Sequence, residues 1–284
     1  MGGSNNVGGD TRPTLIGSPP GMPPIVVAIE AAERRQTINF RIRFFVTWAV
    51  IVSGVVALVA IGARPNPRFH LQDWLPFIFG GVWMTLLLSV SSIIIAVFLA
   101  LFGALGRVSA NPVFNGIASL YVSIVRGTPL IVQIFFIFLG LPAVGIVVPE
   151  VPTGIIALSF NYGAYLTEVF RAGIQAVPHG QVEAARSLGL PERQVLRRVV
   201  LPQALRIVTP AVANDFIAMT KDSALISVIG VQELLWRAQA AGRPNGTTFQ
   251  TIAVAAAIYW LLTIVLSTFQ VRLERQMAAG DRNR

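Results

Sequence analysis

Long runs of residues without a charge constrain this chain more than any other feature. The run from Phe77 to Gly106 holds thirty residues and no charged side chain. A transmembrane helix needs about 20 apolar residues to cross the hydrocarbon core of a bilayer. Only helices and closed barrels satisfy their backbone hydrogen bonds in lipid. The runs are too long for strands and therefore predict an all-α membrane protein.

Six segments of this kind are predicted to be transmembrane helices. Four carry no charge, the fourth in order contains Glu168 and Arg171, and the fifth contains Asp215 in its interior. The segments are 44–62, 77–106, 127–149, 151–176, 202–220 and 251–271.

The positions of these segments divide the chain into four predicted parts. Residues 1–25 hold six glycines and five prolines and cannot build a core. The predicted parts are a disordered cytoplasmic tail at 1–40, an additional N-terminal helix at 41–65, a transmembrane domain at 75–275 with a polar loop at 178–202, and a cytoplasmic tail at 276–284.

Composition and charge agree with a membrane protein. Charged residues make up 12% of the chain, against about 25% in soluble domains. The net charge of +9 does not indicate nucleic-acid binding, because the arginines flank the apolar runs. Sixteen arginines fall on the side of the 178–202 loop and five basic residues on the other, with Arg126 unassigned. The positive-inside bias therefore predicts that both termini lie in the cytoplasm.

The polar loop at 178–202 is predicted to be two short helices that meet at a bend. Gly189 suits the left-handed position that ends a helix, and Pro191 suits the first turn of the next one. Apolar residues at helical spacing after Pro191 and arginines on the other side make that second helix amphipathic. Two interpretations stay open from the residues alone: a surface that docks a soluble partner, or an interfacial helix resting on lipid headgroups.

The loop resembles the Glu-Ala-Ala loop of permease subunits in ATP-binding cassette importers. That pattern is Glu-Ala-Ala, three residues, Gly, nine residues, an aliphatic residue, any residue and Leu-Pro. The matching positions are Glu183, Ala184, Ala185, Gly189, Val199, Leu201 and Pro202. Residues 126–133 (RGTPLIVQ), 161–171 and 221–230 are similar to segments of polar amino acid uptake permeases. The resemblance covers roughly residues 75–275.

The resemblance implies a methionine-importer-like type I permease fold with a five-helix core and one extra N-terminal helix. It implies four kinds of partner: an ATPase dimer, a second permease subunit (a copy or a paralogue), an external solute-binding protein and an amino acid. It also implies that ATP and Mg bind the ATPase and that this chain binds no cofactor. A phosphate-binding loop needs lysine, and Lys221, the one lysine, is not in such a motif. The docking residues it implies are Glu183, Ala184, Ala185, Gly189, Arg193, Arg197 and Pro202.

Polar residues inside the predicted helices are candidates for a substrate pathway, because an ionisable group at membrane depth is costly and usually functional. Asn161, Tyr165 and Glu168 share one helix face at i, i+4 and i+7. Glu168 either binds substrate or pairs with Arg171. The other candidates are Arg126, Thr128, Gln133 and Asp215.

Asp215 and Arg126 each have more than one possible role. Asp215 either faces the pathway or pairs with Arg126. A structural role for Arg126 is also open, since Gly127 and Pro129 break the helix and free carbonyls that a guanidinium can satisfy.

The predicted function is the membrane-spanning permease subunit of an ATP-driven amino acid importer, without an ATPase site of its own. Two alternatives come from other classes. One is an ion-coupled carrier or channel that uses Glu168 and Asp215. The other is a membrane enzyme, which is disfavoured because no catalytic set converges on one face. The sequence leaves the amino acid unidentified.

Overall fold

The computed structural model describes residues 38–50, 52–54 and 70–282. They belong to two compact units, residues 1–62 and 63–284. In the first unit, residues 38–50 and 52–54 are helical (α1). Residues 38–40, predicted as the end of a disordered tail at 1–40, are therefore helical. The rest of that tail and the predicted helix end at 55–62 lie outside the described residues.

The second unit is helical throughout its described elements. Its α-helices are α2 (Leu71–Phe79), α3 (Gly81–Arg107), α4 (Pro112–Gly127), α5 (Leu130–Ala143), α6 (Glu150–Gln175), α7 (His179–Ser187), α8 (Glu192–Val195), α9 (Leu201–Asp222), α10 (Leu234–Gly242) and α11 (Thr248–Arg282). A π turn at Leu196–Val200 joins α8 to α9, and 3₁₀ segments lie at Ser223–Ile229 and Arg243–Asn245.

Two spans in the described residues are long and apolar enough to cross a membrane by themselves. They are Gln72–Arg107 and Thr248–Met277. Helices α4 and α5 pass the same test as a pair, bent by 108° at their break. Helices α6 and α9 carry more polar residues and are not apolar enough for this test, although α6 is 26 residues long.

Helices α3 and α6 run parallel and form the centre of the bundle. Ser159 donates to the carbonyl of Ser92 near one end, and Gly103 lies against Thr167 farther along. A Cβ on Gly103 would lie 2.3 Å from Oγ1 of Thr167. Small residues on α3 therefore let the two backbones approach closely, as is common in membrane helix pairs.

Helix α9 runs antiparallel to α6. Gly173, near the end of α6, meets Val208, whereas Tyr162 in its middle donates to Asp222 near the end of α9. The 178–202 segment consequently lies at one end of the bundle, and the 223–247 segment lies at the other.

Helices α4 and α10 were not predicted, α2 and α3 stand where one helix at 77–106 was predicted, with α2 beginning at Leu71, and the third predicted helix differs in extent. Helix α4 lies largely in the uncharged stretch 108–125, which is 18 residues long and shorter than every predicted segment. Its start was nevertheless signalled by Asn111, whose side chain accepts from the Val113 amide, and by Pro112 in the first turn. Helix α5 ends at Ala143 instead of continuing to residue 149. Helix α10 has nine residues, too few to span a membrane, so a search for long apolar runs does not detect it.

The end of the bundle away from the 178–202 segment is held by a buried carboxylate. Glu233 is fully buried and caps α10 by accepting from the Trp236 amide at 2.7 Å. Its second oxygen accepts from the Tyr259 hydroxyl of α11. Beside it, a Cβ on Gly81 would lie 2.6 Å from the Leu234 Cα. These contacts join the start of α3 to α10 and α11.

Candidate docking and translocation sites

The bend at Gly189 is closed by a Schellman motif. The Leu190 amide donates to the Ala185 carbonyl at 3.2 Å, and the Gly189 amide donates to the Arg186 carbonyl at 2.8 Å. Gly189 has φ +75°, the left-handed conformation that was predicted. We call residues 178–202 the docking bend.

An ion pair spans this bend from one helix to the next. The Arg186 guanidinium donates to Glu192 through two nitrogens, at 2.6 Å and 3.1 Å. The Arg186 guanidinium also holds the pKa of the Glu192 carboxyl below its usual range. Both side chains are exposed, so the pair contributes little to stability in water. The pair links the end of α7 to the start of α8 across the bend.

The docking bend buries one side and exposes the other. Val177, Ala185, Val195, Val200 and Ala204 form a cluster of buried residues beneath it. The predicted docking residues divide accordingly: Ala185 is buried, and the others are exposed, namely Glu183, Ala184, Gly189, Arg193, Arg197 and Pro202. Leu188 is 82% exposed at the tip and was not predicted. The exposed side is therefore a charged surface with an apolar tip.

The second half of the docking bend is not a separate short helix. Residues from Glu192 to Asp222 form one continuous helix, interrupted in hydrogen-bond pattern by the π turn. Pro191 lies at the N-cap, one position before the predicted first turn. Movement of α8 is consequently transmitted to α9 without an intervening loop.

A cluster of polar side chains lies where α4 turns into α5. Gln133 donates to the Val125 carbonyl at 2.8 Å, the Thr128 carbonyl at 3.1 Å and the Thr128 hydroxyl oxygen at 3.0 Å. Thr128 donates to the Ile124 carbonyl. Gln133 and Thr128 therefore satisfy the carbonyls freed by the break, a role considered for Arg126 from the sequence.

Two further predicted residues join this cluster from α6. Asn161 donates to the Gln133 side-chain oxygen at 3.2 Å. The Arg126 guanidinium lies 5.1 Å from the centre of the Tyr165 ring, a cation–π distance. We call Arg126, Thr128, Gln133, Asn161 and Tyr165 the polar bend. Beside it, a cavity of about 500 Å³ extends along α4 and α5 and includes Thr128 and Gln133 in its lining.

Glu168 does not belong to the polar bend. Its carboxylate accepts from Arg171 at 2.8 Å and 2.9 Å and from Arg107 at 3.0 Å. The pairing with Arg171 is one of the two alternatives drawn from the sequence. Arg107 was not anticipated, because it lies 61 residues away in sequence. Arg107 also contacts Ser119 of α4, so Glu168 joins α3, α4 and α6.

Asp215 is only partly exposed on α9 and makes no hydrogen bond or ion pair within the described part of the chain. The alternative pairing with Arg126 is not formed, since Arg126 lies over Tyr165. Tyr162 of α6, a residue not predicted, donates to Asp222 at 2.8 Å. Its phenol connects α6 to the helix that carries Asp215.

Known families and curated proteins match most of this chain. Residues 92–279 match the family described as binding-protein-dependent transport system inner membrane component. The L-cystine transport system permease protein TcyB of Bacillus subtilis (strain 168) is 41% identical over 72% of this chain and 88% of its own length. The arginine transport system permease protein ArtQ of the same organism is 36% identical over 73% of this chain and 95% of its own length.

Solved structures show the same fold. An amino acid ABC transporter with histidines is 39% identical, with a TM-score of 0.69 over 72% of this chain and 96% of that one. The inward-facing MetNI methionine ABC transporter is 21% identical, with a TM-score of 0.63 over 72% of this chain and 98% of that one. The second likeness concerns the fold alone and agrees with the predicted methionine-importer-like architecture.

Proposed function

This chain belongs to the family of binding-protein-dependent transport system inner membrane components, within its amino acid ABC permeases, and we propose that it is the permease subunit of an ATP-driven amino acid importer. In this role it forms half of a translocation pathway by alternating access. It is coupled to a separate ATPase through the docking bend.

The observation that carries the proposal is the construction of the docking bend. A left-handed turn at Gly189, spanned by the Arg186–Glu192 pair, presents exposed charged residues and Leu188 at one end of the bundle. The bend continues directly into α9, the helix that bears Asp215. A movement of the docking bend on binding a partner is therefore transmitted to the interior of the bundle through one continuous helix.

The partners follow from the geometry and the family together. The exposed side of the docking bend fits a groove on an ATPase, which supplies ATP and Mg binding. A second permease subunit, a copy or a paralogue, completes the pathway, and an external binding protein delivers the amino acid. Arg107, Arg171 and the arginines of the docking bend lie at the same end of the bundle, which supports a cytoplasmic location for that end. This orientation is consistent with six transmembrane helices in a bacterial inner membrane and with both termini in the cytoplasm.

The polar bend and Asp215 supply groups that suit an amino acid. Asp215, which has no ion pair among the residues that the structure describes, offers a carboxylate for an ammonium group. Gln133 and Asn161 offer amides for polar ends. The curated relatives that transport L-cystine and arginine by name support an amino acid as the substrate class.

The test is uptake by the importer reconstituted in proteoliposomes with its ATPase, second permease subunit and binding protein. We expect accumulation of at least one labelled amino acid only when ATP is present inside the vesicles with the ATPase. An ATPase variant that cannot hydrolyse ATP serves as the control and should abolish uptake. Uptake driven by a proton gradient alone, with no need for ATP, would instead support an ion-coupled carrier.

A further inference from the structure

The Arg126 guanidinium has no acidic partner in the part of the chain that the structure describes. It forms neither an ion pair nor a hydrogen bond there. Its contact is with the Tyr165 ring, whose centre lies 5.1 Å from the Arg126 Cζ. The ring attracts the positive charge. It leaves the five N–H donors of the guanidinium without an oxygen acceptor.

This charge lies deep in the bundle. Tyr165 is ten residues before the end of α6 at Gln175, a rise of about 15 Å at 1.5 Å per residue. Arg126 is fourteen residues after the start of α4 at Pro112, a rise of about 21 Å. Both distances fall well inside a hydrocarbon core of about 30 Å. Lipid phosphates lie outside that core, so an anion that reaches Arg126 comes from the pathway or from the second subunit.

The carboxylate nearest to Tyr165 in sequence cannot neutralise Arg126. Glu168 is three residues farther along α6, and its two oxygens accept from Arg107 and Arg171. Asp215 of α9 has no ion pair within the described residues either. An isolated charge at membrane depth is costly and usually faces a polar cavity or a partner. A guanidinium and a carboxylate that both lack a partner match a ligand that carries both charges.

The surroundings of Arg126 are open and polar. Arg126 is exposed in the isolated subunit, and Tyr165 is 43% exposed. One turn before Tyr165 on the same helix face, Asn161 donates to the side-chain oxygen of Gln133. A guanidinium presents its N–H groups as a planar fork that binds both oxygens of a carboxylate at once. The site therefore suits a small carboxylate that enters beside the polar bend.

We propose that Arg126 is a specificity-determining residue that binds the carboxylate of the transported amino acid, with Tyr165 as its positioning residue. The proposal rests on the importer function proposed above and narrows its substrates to compounds with a free carboxylate. An amino acid amide is selected against, because its neutral end cannot satisfy the guanidinium as a carboxylate does.

The test is direct binding to the assembled importer, with both permease subunits and the ATPase, in lipid nanodiscs. The external binding protein is left out so that its own selectivity does not enter. The probes are the standard L-amino acids and L-cystine, each radiolabelled. The probe that binds most tightly is then compared with its α-carboxamide, which has nearly the same size and no negative charge.

Arg126→Gln and Arg126→Lys are the test variants. The first removes the charge, and the second keeps a charge but loses the fork. The matched control is Arg243→Gln, which replaces an exposed arginine that donates to Gln239 near the start of α11.

In the wild type and in Arg243→Gln, we expect the acid to bind about tenfold to a hundredfold more tightly than the amide, the range for a hydrogen bond to a charged group. Arg126→Gln should bind acid and amide equally, with the affinity for the amide unchanged. Arg126→Lys should show a smaller preference than the wild type. A preference for the acid that persists in Arg126→Gln overturns the assignment. An equal loss of affinity for acid and amide also overturns it, because a structural role or a pairing with the second subunit affects both ligands alike.

If Arg126→Gln does not assemble, Arg126→Lys decides. A reduced preference with unchanged affinity for the amide supports the proposal, and a wild-type preference overturns it. Absence of binding of every probe to the wild type overturns it as well. The binding measurement uses no ATP, so its failure is distinct from that of the proposed function, which absence of ATP-dependent uptake would contradict.

Discussion

Arg107 of α3 and Glu168 of α6 form an ion pair, with 3.0 Å between Nε and Oε1. Arg171 occupies the second oxygen of the same carboxylate at 2.8 Å. Both oxygens of Glu168 are therefore engaged by guanidinium groups of the same chain. Glu168 therefore joins α3 to α6 through Arg107.

Glu168→Gln is expected to destabilise the subunit and to leave substrate affinity unchanged. The amide cannot accept from both guanidiniums as a carboxylate does, and hydrogen bonds to charged groups are worth about 1.5–3 kcal/mol. A lower thermal midpoint of the purified complex with a KM close to that of the wild type is the expected result. Glu150→Gln, at an exposed position at the start of α6, is the control. A raised KM with an unchanged midpoint would show that Glu168 binds substrate.

Asp215→Asn should show the opposite pattern. The carboxylate has no ion pair within the described residues, so its loss should not lower the thermal midpoint. Loss of a charge-assisted contact of about 1.5–3 kcal/mol should raise KM by about tenfold to a hundredfold. Concentration-dependent uptake measures this, with Asp73→Asn at an exposed position as the matched control. An unchanged KM would remove Asp215 from the pathway.

Gly189→Val tests the docking bend through its backbone. Nothing lies within 4 Å of a Cβ at this position, so the side chain itself meets no obstacle. The φ of +75° is unfavourable for a β-branched residue and costs about 1–3 kcal/mol. We expect weaker co-purification of the ATPase and less uptake per ATP. Gly180→Ala in α7, also with open space around its Cβ, should behave like the wild type. Normal coupling in Gly189→Val would contradict the role of the bend.

Gln133→Leu tests the break between α4 and α5. The leucine keeps the approximate size of the side chain but leaves the Val125 and Thr128 carbonyls without this donor. A loss of about 0.5–1.5 kcal/mol per hydrogen bond is expected. The thermal midpoint and uptake should both fall, whereas Val132→Leu, one residue earlier and exposed, should change neither. Full stability in Gln133→Leu would mean that the break does not depend on this amide.

Gly81→Ala should disrupt the joint between α3 and α10. The added Cβ would lie 2.6 Å from the Leu234 Cα and 2.7 Å from its amide nitrogen, both of which are backbone atoms that cannot rotate away. Overpacking of this kind costs about 1–3 kcal/mol. The comparison is Gly116→Ala in α4, where the added Cβ meets open space and alanine favours the helix by about 1 kcal/mol. Equal thermal midpoints for the two variants would argue against the close approach.

The sequence predicted features that depend on neighbouring residues. Gly189 marked a left-handed helix end because Gly carries no Cβ penalty there, and the structure has φ +75° at this position. The long apolar runs marked α3 and α11 because the membrane sets a minimum length for a spanning helix. The residues of the Glu-Ala-Ala loop identified the family because their spacing is fixed over a short segment.

Tertiary structure decided every contact between residues far apart in the chain. The partner of Glu168 at Arg107 is chosen by the parallel packing of α3 on α6, which no local pattern encodes. The role of Gln133 depends on the 108° bend, since only that turn brings the side chain back to the Val125 carbonyl. The π turn at Leu196–Val200 lies where one cluster buries both Val195 and Val200, five residues apart. Local sequence determines which helices can form and where they end, because those choices cost or gain free energy within a few residues. Which charges become paired, and which carboxylate stays open to a ligand, is settled only when the helices pack.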